Sequence, residues 1–384
     1  MEQAEIVVVG GGVAGSTTAA MLGRAGISTI LVDLHSTPVS DFRCEKLEKG
    51  QLERLRATGL EPAMRAVATP SERLWIARYG RVVSRRPDAQ INARYETMVA
   101  CMREQVRAPA SFREGRVVDI QTSPKRQTVA LADGTLISAR LVVLACGLSR
   151  GLGESLGLRR ELLSASHSIS VGFDLEPAGR APFPFRALTW YPSRSARRIC
   201  YLTLFPIGEV TRANLFTYHD AKDPWLQALR QSPKETLTEA LPGLERVLGP
   251  FKVTGAVRVR AADLYTTHGV EQPGVVLVGD AFATSCPAAG TGLDKVLTDV
   301  ERLCNRYIPL WLKSPGMDTE KVAAFYQDPQ KRSCDAWSLE RAYHSRDAAI
   351  AQSLAWRLRR RLALLEPGVR YCLLPFARAR GNGN

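Results

Sequence analysis

The sequence predicts an α/β chain: a Rossmann-like domain into which an antiparallel β-sheet domain is inserted, ending in a helical C-terminal tail. Three observations lead there. An apolar run at 6–9 enters a glycine-rich turn at 10–15, which opens a small-residue helix and then a second strand. Residues 165–268 repeat strand patterns, interrupted by one helical stretch. The chain then returns to an apolar strand at 274–279 and a helix at 290–306.

With 384 residues the chain exceeds the roughly 250–300 at which a single core stops growing, so two closely packed domains with a deep cleft are expected. A content of 45% hydrophobic and 23% charged residues fits a packed globular protein and argues against disorder. The first apolar run leads straight into glycines, unlike a secretory leader, and the longest apolar run, 141–148, is far short of the about 18 residues a membrane span needs. A cytoplasmic, soluble protein is expected. Eight cysteines, at 44, 101, 146, 200, 286, 304, 334 and 372, include no CxxC pair, which fits reduced thiols. The five histidines, at 35, 167, 219, 268 and 344, lack metal-ligand spacing, so no metal is expected.

Lysine plus arginine exceeds aspartate plus glutamate by 52 − 38 = 14. The excess suits an anionic cofactor and a small-molecule substrate that is itself anionic or tethered to a carrier. No basic run interleaves with aromatics and no zinc-finger spacing occurs, which points away from nucleic acid.

In chain order, 6–9, 16–24 and 28–33 form one strand–helix–strand unit. Leucines 47, 52 and 55 among charges predict a helix over 45–58 with one exposed face, 75–93 reads as a hairpin, and 94–107 as a helix. Strands follow at 116–120, 128–131, 135–137 and 141–145, with an Asp133-Gly134 turn among them. The inserted sheet draws on 168–175, 186–191, 198–205, 212–218 and 253–265, with a helical stretch at 224–247.

Gly10-Gly11-Gly12-Val13-Ala14-Gly15 satisfies GxGxxG where the motif belongs, between a buried strand and a helix. Gly10 permits the tight turn, Gly12 lets backbone approach a pyrophosphate, and Gly15 lets helix and strand pack closely, while the free amides at Val13 and Ala14 face the phosphate charge. Asp33 ends the second strand, where a carboxylate accepts hydrogen bonds from ribose hydroxyls and repels a ribose phosphate. FAD or NAD fits this site; NADP does not.

Val278-Gly279-Asp280-Ala281-Phe282, followed by Pro287, Gly290, Thr291, Gly292, Leu293 and Asp299, resembles the second FAD motif of the class A flavoprotein monooxygenases, the p-hydroxybenzoate hydroxylase-like family. The resemblance implies FAD as cofactor, with Asp280 on the ribityl chain and the helix start at 290–293 against the flavin ring. It extends to Arg43 and Arg94, which match flavin-contacting positions of the family. Phe282 replaces a common histidine, Asp294 a common asparagine, and Cys146 the aspartate of the family's Asp-Gly pair. The domains implied are FAD-binding parts at 1–74, 94–164 and 269–317, a substrate-domain hairpin at 75–93 and sheet at 165–268, and a helical region at 318–384.

The activity so implied is an FAD-dependent monooxygenase, reduced by NADH or NADPH, that hydroxylates or epoxidises an electron-rich substrate through a flavin C4a-hydroperoxide. No side-chain triad is expected, because the flavin carries the chemistry. Trp190, Tyr201, Phe205, Phe282, Cys286 and Pro287 are the candidate pocket residues, and Tyr201 and Phe205 share parity on one strand. Residues 201–206, YLTLFP, are loosely similar to the YxWxFP segment of geranylgeranyl reductases but lack its tryptophan, so a reductase is the alternative enzyme, and a non-catalytic flavin-binding partner protein is the alternative outside enzymes. Halogenases of the same fold are disfavoured by the absence of a WxWxIP segment. Arginines 357, 359, 360 and 361 alternate with Trp356, Leu358, Leu362, Leu364 and Leu365, a pattern suited to peripheral contact with an anionic surface.

Overall fold

The computed structural model describes residues 1–192 and 198–362, with side chains as far as 359. At its centre lie five parallel strands in the order Val275–Leu277, Leu141–Leu144, Ile6–Val9, Thr29–Asp33, Ala110–Glu114. The three inner strands are apolar along almost their whole length because both faces of the sheet are covered. One face packs on the helix Val13–Arg24 and on Gly292–Arg302 with its continuation to Trp311. The other packs on a four-stranded sheet, Glu2–Gln3, Leu136–Ala139, Gln127–Leu131 and Val117–Gln121, through Ile120, Val129, Leu131 and Ile137. The edge strand Ala110–Glu114 has no counterpart among the predicted elements.

The second layer is an eight-stranded sheet, ordered Phe251–His268, Arg159–Pro177, Val210–Thr217, Ile199–Ile207, Ala187–Tyr191, Thr69–Arg78, Arg81–Asn92, Lys46–Leu47. It is antiparallel except where Ala187–Tyr191 runs parallel to Thr69–Arg78. The hairpin therefore begins at Thr69, and the strand that opens the main block begins at Arg159, earlier than the patterns at 75 and 168 suggested. The long strands Arg159–Pro177 and Phe251–His268 pair over almost their full length.

Alternate residues of this sheet point to opposite sides. Leu188, Trp190, Leu202, Leu204, Ala213 and Leu215 face a helical layer of Pro224–Gln231, Pro233–Ala240 and Leu244–Leu248. The single helical stretch read at 224–247 is thus three short helices, broken at Pro233 and around Pro242-Gly243. Tyr201, Thr203, Arg212, Asn214 and Phe216 take the other parity and face the parallel-sheet layer.

Residues 319–350 are part of the body. The helix Pro329–Ile350 is capped by Asp328, which accepts the amides of Gln330 and Lys331, and it packs along Gly292–Arg302 and the turn Pro287–Ala289. The basic helix spans Leu354–Leu362 with Leu354 and Leu358 exposed; the side chains of Arg360 and Arg361, and Leu364–Leu365 altogether, lie outside the described residues. No helix among the described residues is long and apolar enough to cross a membrane.

Trp190 is fully buried under the helical layer, so Trp190→Ala is expected to lower unfolding free energy by about 3–5 kcal/mol in urea denaturation. A loss below about 1 kcal/mol would contradict its placement in that core.

Candidate flavin site between the two sheets

The turn after Ile6–Val9 is held by close backbone approach. Gly10 has φ +103, and a Cβ there would lie 2.6 Å from the Ala145 carbonyl oxygen; a Cβ on Gly15 would collide with the Gly10 oxygen. Only glycines let strand, turn and helix meet this closely. The helix Val13–Arg24 has no side-chain cap at Gly12, so its first amides remain for a ligand. A Cβ on Gly12 would come within 3.1 Å of the Tyr95 hydroxyl, which leaves a cradle shaped for close backbone approach.

Asp33 closes the turn from the next strand. One oxygen accepts the Gly11 N–H; the other accepts the His35 N–H at 2.9 Å and lies 3.1 Å from Arg103 Nη2. Arg103 reaches over from the helix Tyr95–Glu104 and also donates to the carbonyls of Gly11 and His35. It fixes the carboxylate beside the turn, a role no local pattern around Arg103 signals.

Arg43 lies 2.7 Å from Asp41 and 3.5 Å from Asp280, with its guanidinium 5.2 Å from the Tyr95 ring. Asp41 is also held by Arg260 at 2.6 Å, which ties this loop to the eight-stranded sheet. Burial raises the Asp280 carboxyl, and the positive charges of Arg43, Lys295, Arg260 and Arg160 work against that rise. Arg94 stands just before the helix Tyr95–Glu104, with no side-chain bond to its first turn, and points its guanidinium toward Asp174, at 3.9 Å.

Gly279–Ala281 forms a tight turn, and Pro287–Ala289 a second one that delivers Gly290, Thr291, Gly292 and Leu293 to the start of the helix Gly292–Arg302. Gln51 and Arg54 cradle this segment: Gln51 Nε2 donates to the Gly290 carbonyl and to Asp294, and Arg54 reaches Asp294 and Thr298. The acid at 294 thereby has its partners on the helix Lys49–Ala57.

Of the candidate pocket residues, Tyr201, Cys286 and Pro287 come together. The Tyr201 hydroxyl donates to the Ala288 carbonyl at 3.0 Å, with Phe216 and Tyr191 beside its ring, and buried Cys286 contacts Ser168. Phe205 shares the face of Tyr201 but packs with Leu74, Ala187 and Ile207. Trp190 faces the opposite side, because it alternates with Thr189 and Tyr191, and this corrects its reading as a pocket residue. Phe282 turns away toward Tyr326 and Lys331.

Cys146 lines a cavity of about 330 Å³ at the carboxyl ends of Leu141–Leu144 and Val275–Leu277, together with Arg150, Arg159 and Arg160. Burial raises its thiol, so it stays protonated and offers no negative charge there. Among the described residues no cluster of His, Cys, Asp or Glu could hold a metal ion.

A family model described as an FAD-binding domain matches residues 3–308. The chain belongs to this family. Its fold is that of p-nitrophenol 4-monooxygenase PnpA from Pseudomonas putida, with TM-score 0.76 and 18% identity over 94% of this chain and 93% of that one. It is also similar to the myxobacterial chondrochloren halogenase CndH, with TM-score 0.71 and 16% identity over 95% and 90%. The flavin-dependent monooxygenase PieE, solved with FAD and substrate, gives TM-score 0.68 and 18% identity over 96% and 69%. No curated protein matches by sequence. Membership makes the chain a flavoprotein with the p-hydroxybenzoate hydroxylase-like fold, the family its glycine turn and GD segment resemble.

Beside Arg43, Glu45 is 1% exposed, 3.3 Å from Arg212 and accepting from Asn214. Burial pushes its carboxyl up to about 7, only partly offset by Arg212. The folded value lies above the ordinary 4.5, so the folded state holds the extra proton between those values and stability falls as pH rises through that window. Glu45→Gln is expected to flatten this part of the stability profile in urea titrations; a slope unchanged from the parent would contradict the assignment.

Proposed function

We propose that the protein is an FAD-dependent monooxygenase that uses NADH or NADPH to hydroxylate or epoxidise an electron-rich organic substrate. The observation that carries the reading is the junction of GD turn, flavin-facing loop and sheet, where Tyr201 of the eight-stranded sheet bonds the loop that opens the helix Gly292–Arg302. A substrate held on that sheet face would lie next to the cofactor's reactive end.

The residues present fit FAD. Amides of Gly12, Val13 and Ala14 would take the pyrophosphate, and Asp33, held in place by Arg103, the ribose hydroxyls. Asp280 would hold the ribityl chain, with Arg43 and Arg94 beside the flavin. The amides of Thr291, Gly292 and Leu293 would face the pyrimidine edge, where a helix start favours negative charge. When bound, FAD supplies hydride acceptance and oxygen activation.

The chain's own part is to bind, orient and keep out water. Tyr191, Tyr201 and Phe216 form an aromatic wall on the sheet face, and Cys286 and Pro287 bring the loop against it. The positive charges at Arg43, Arg150, Arg159, Arg160 and Arg260 suit approach of an anionic nicotinamide donor.

Anaerobic mixing with NADH or NADPH is expected to bleach the flavin band near about 450 nm, and oxygenated buffer with an accepted phenol to give a product heavier by one oxygen atom. Failure of both nicotinamides to reduce the flavin would contradict this reading.

A further inference from the structure

The helix Pro329–Ile350 carries a charge into the interior of the fold. Lys331 is 1% exposed, with its ammonium 2.8 Å from Asp299 Oδ1 and 3.1 Å from Asp335 Oδ2. The other Asp335 oxygen lies 3.1 Å from Nζ of Lys295, itself 4% exposed. Lysine and carboxylate thus alternate in a row, buried except at the partly exposed Asp335, that joins Pro329–Ile350 to Gly292–Arg302. The row ends on backbone: Asp299 Oδ2 accepts the N–H of Gly279, first residue of the GD turn, at 2.9 Å. Rings of Phe282, Phe325 and Tyr326 box the ammonium at 4.0, 5.3 and 5.9 Å from their centroids.

Apolar residues in place of both Lys331 and Asp299 could fill such a box with little loss of stability, whereas removing the ammonium alone strands a buried carboxylate. What an apolar residue could not do is keep Asp299 charged. Burial raises the Asp299 carboxyl, and the Lys331 ammonium beside it is the nearest force pulling it back. Asp335 opposes that pull, while Tyr326 and Cys334 nearby are held neutral by burial. A protonated Asp299 would be a poorer acceptor for Gly279, because charge-assisted hydrogen bonds are the stronger kind.

We propose that Lys331 is a positioning residue for the cofactor site: by holding Asp299 as a carboxylate it fixes the Gly279 amide, and so sets the GD turn that presents Asp280 to FAD. The inference rests on the FAD reading above. Lys295 serves the same end from the first turns of Gly292–Arg302, tying the helix that faces the flavin to Asp335. The buried Thr291–Ser338 hydroxyl pair, 2.6 Å apart, is a neutral clamp between the same two segments.

The test measures the FAD dissociation constant by flavin fluorescence quenching from about pH 6 to about pH 9 for the wild type, Lys331→Met and Lys331→Met/Asp299→Asn. The wild type is expected to bind equally across that range. Lys331→Met should bind at least about tenfold more weakly near the acid end and recover toward the alkaline end as Asp299 ionises. The double variant, which offers Gly279 an amide oxygen with no charge to maintain, should stay within about threefold of wild type at every pH. A single variant that binds like wild type throughout, or a folded double variant as weak as the single, overturns the inference. If the single variant does not fold, the double variant decides alone: affinity within about threefold supports the role, and a loss beyond about tenfold removes it. Wild-type protein that takes up no FAD overturns the functional reading, and this inference with it.

Discussion

Close backbone contact at the carboxyl end of the parallel sheet governs the geometry of everything around it. Gly10 lies against Ala145 from the neighbouring strand, and Gly15 against Gly10 itself, so the helix Val13–Arg24 leaves the sheet at one fixed angle. Its uncapped start is thereby aimed across the sheet edge. Any side chain at either position would push helix from strand, and the amides would lose their common direction. Asp33, pinned by Gly11, His35 and Arg103, is set by the same turn.

The second constraint is the need to seat one sheet against another without leaving charges stranded. Asp41 bridges Arg43 and Arg260, Glu45 meets Arg212 and Asn214, and Asp174 sits between Arg212 and Arg94. The contacts of Asp41 and Glu45 join the loop after the second parallel strand to the eight-stranded sheet, and Asp174 joins that sheet to the start of the helix Tyr95–Glu104. Buried charges need partners, and Asp41 and Glu45 find theirs on the facing sheet. Arg43, proposed to lie beside the flavin, thus also helps hold the layers together through Asp41.

How much of this the sequence disclosed follows from how local each signal is. The strand–glycine–helix–strand unit was legible because its spacing is dictated within some thirty residues by one backbone geometry. The GD segment and the glycines at 290 and 292 were legible for the same reason. Trp190 was misplaced because aromatic character says nothing of parity, whereas Tyr201, on the other parity, bonds to the Ala288 carbonyl. The hairpin from Thr69 and the strand Ala110–Glu114 were blurred by charged, half-exposed residues that break the alternation. Arg103 and Lys331 were out of reach altogether. Each acts on a partner far along the chain, Asp33 and Asp299, and an arginine or lysine on a helix carries no mark of being buried.

We propose that this fold holds one FAD per chain across the carboxyl end of the parallel sheet. The most direct measurement releases bound flavin from the purified protein with acid and identifies and counts it by chromatography against protein concentration. FAD is expected, close to one equivalent per chain after incubation with excess cofactor and removal of the unbound portion. Protein that retains no flavin, or retains FMN in preference to FAD, would contradict it, because the glycine turn and Asp33 would then have no adenosine diphosphate to hold.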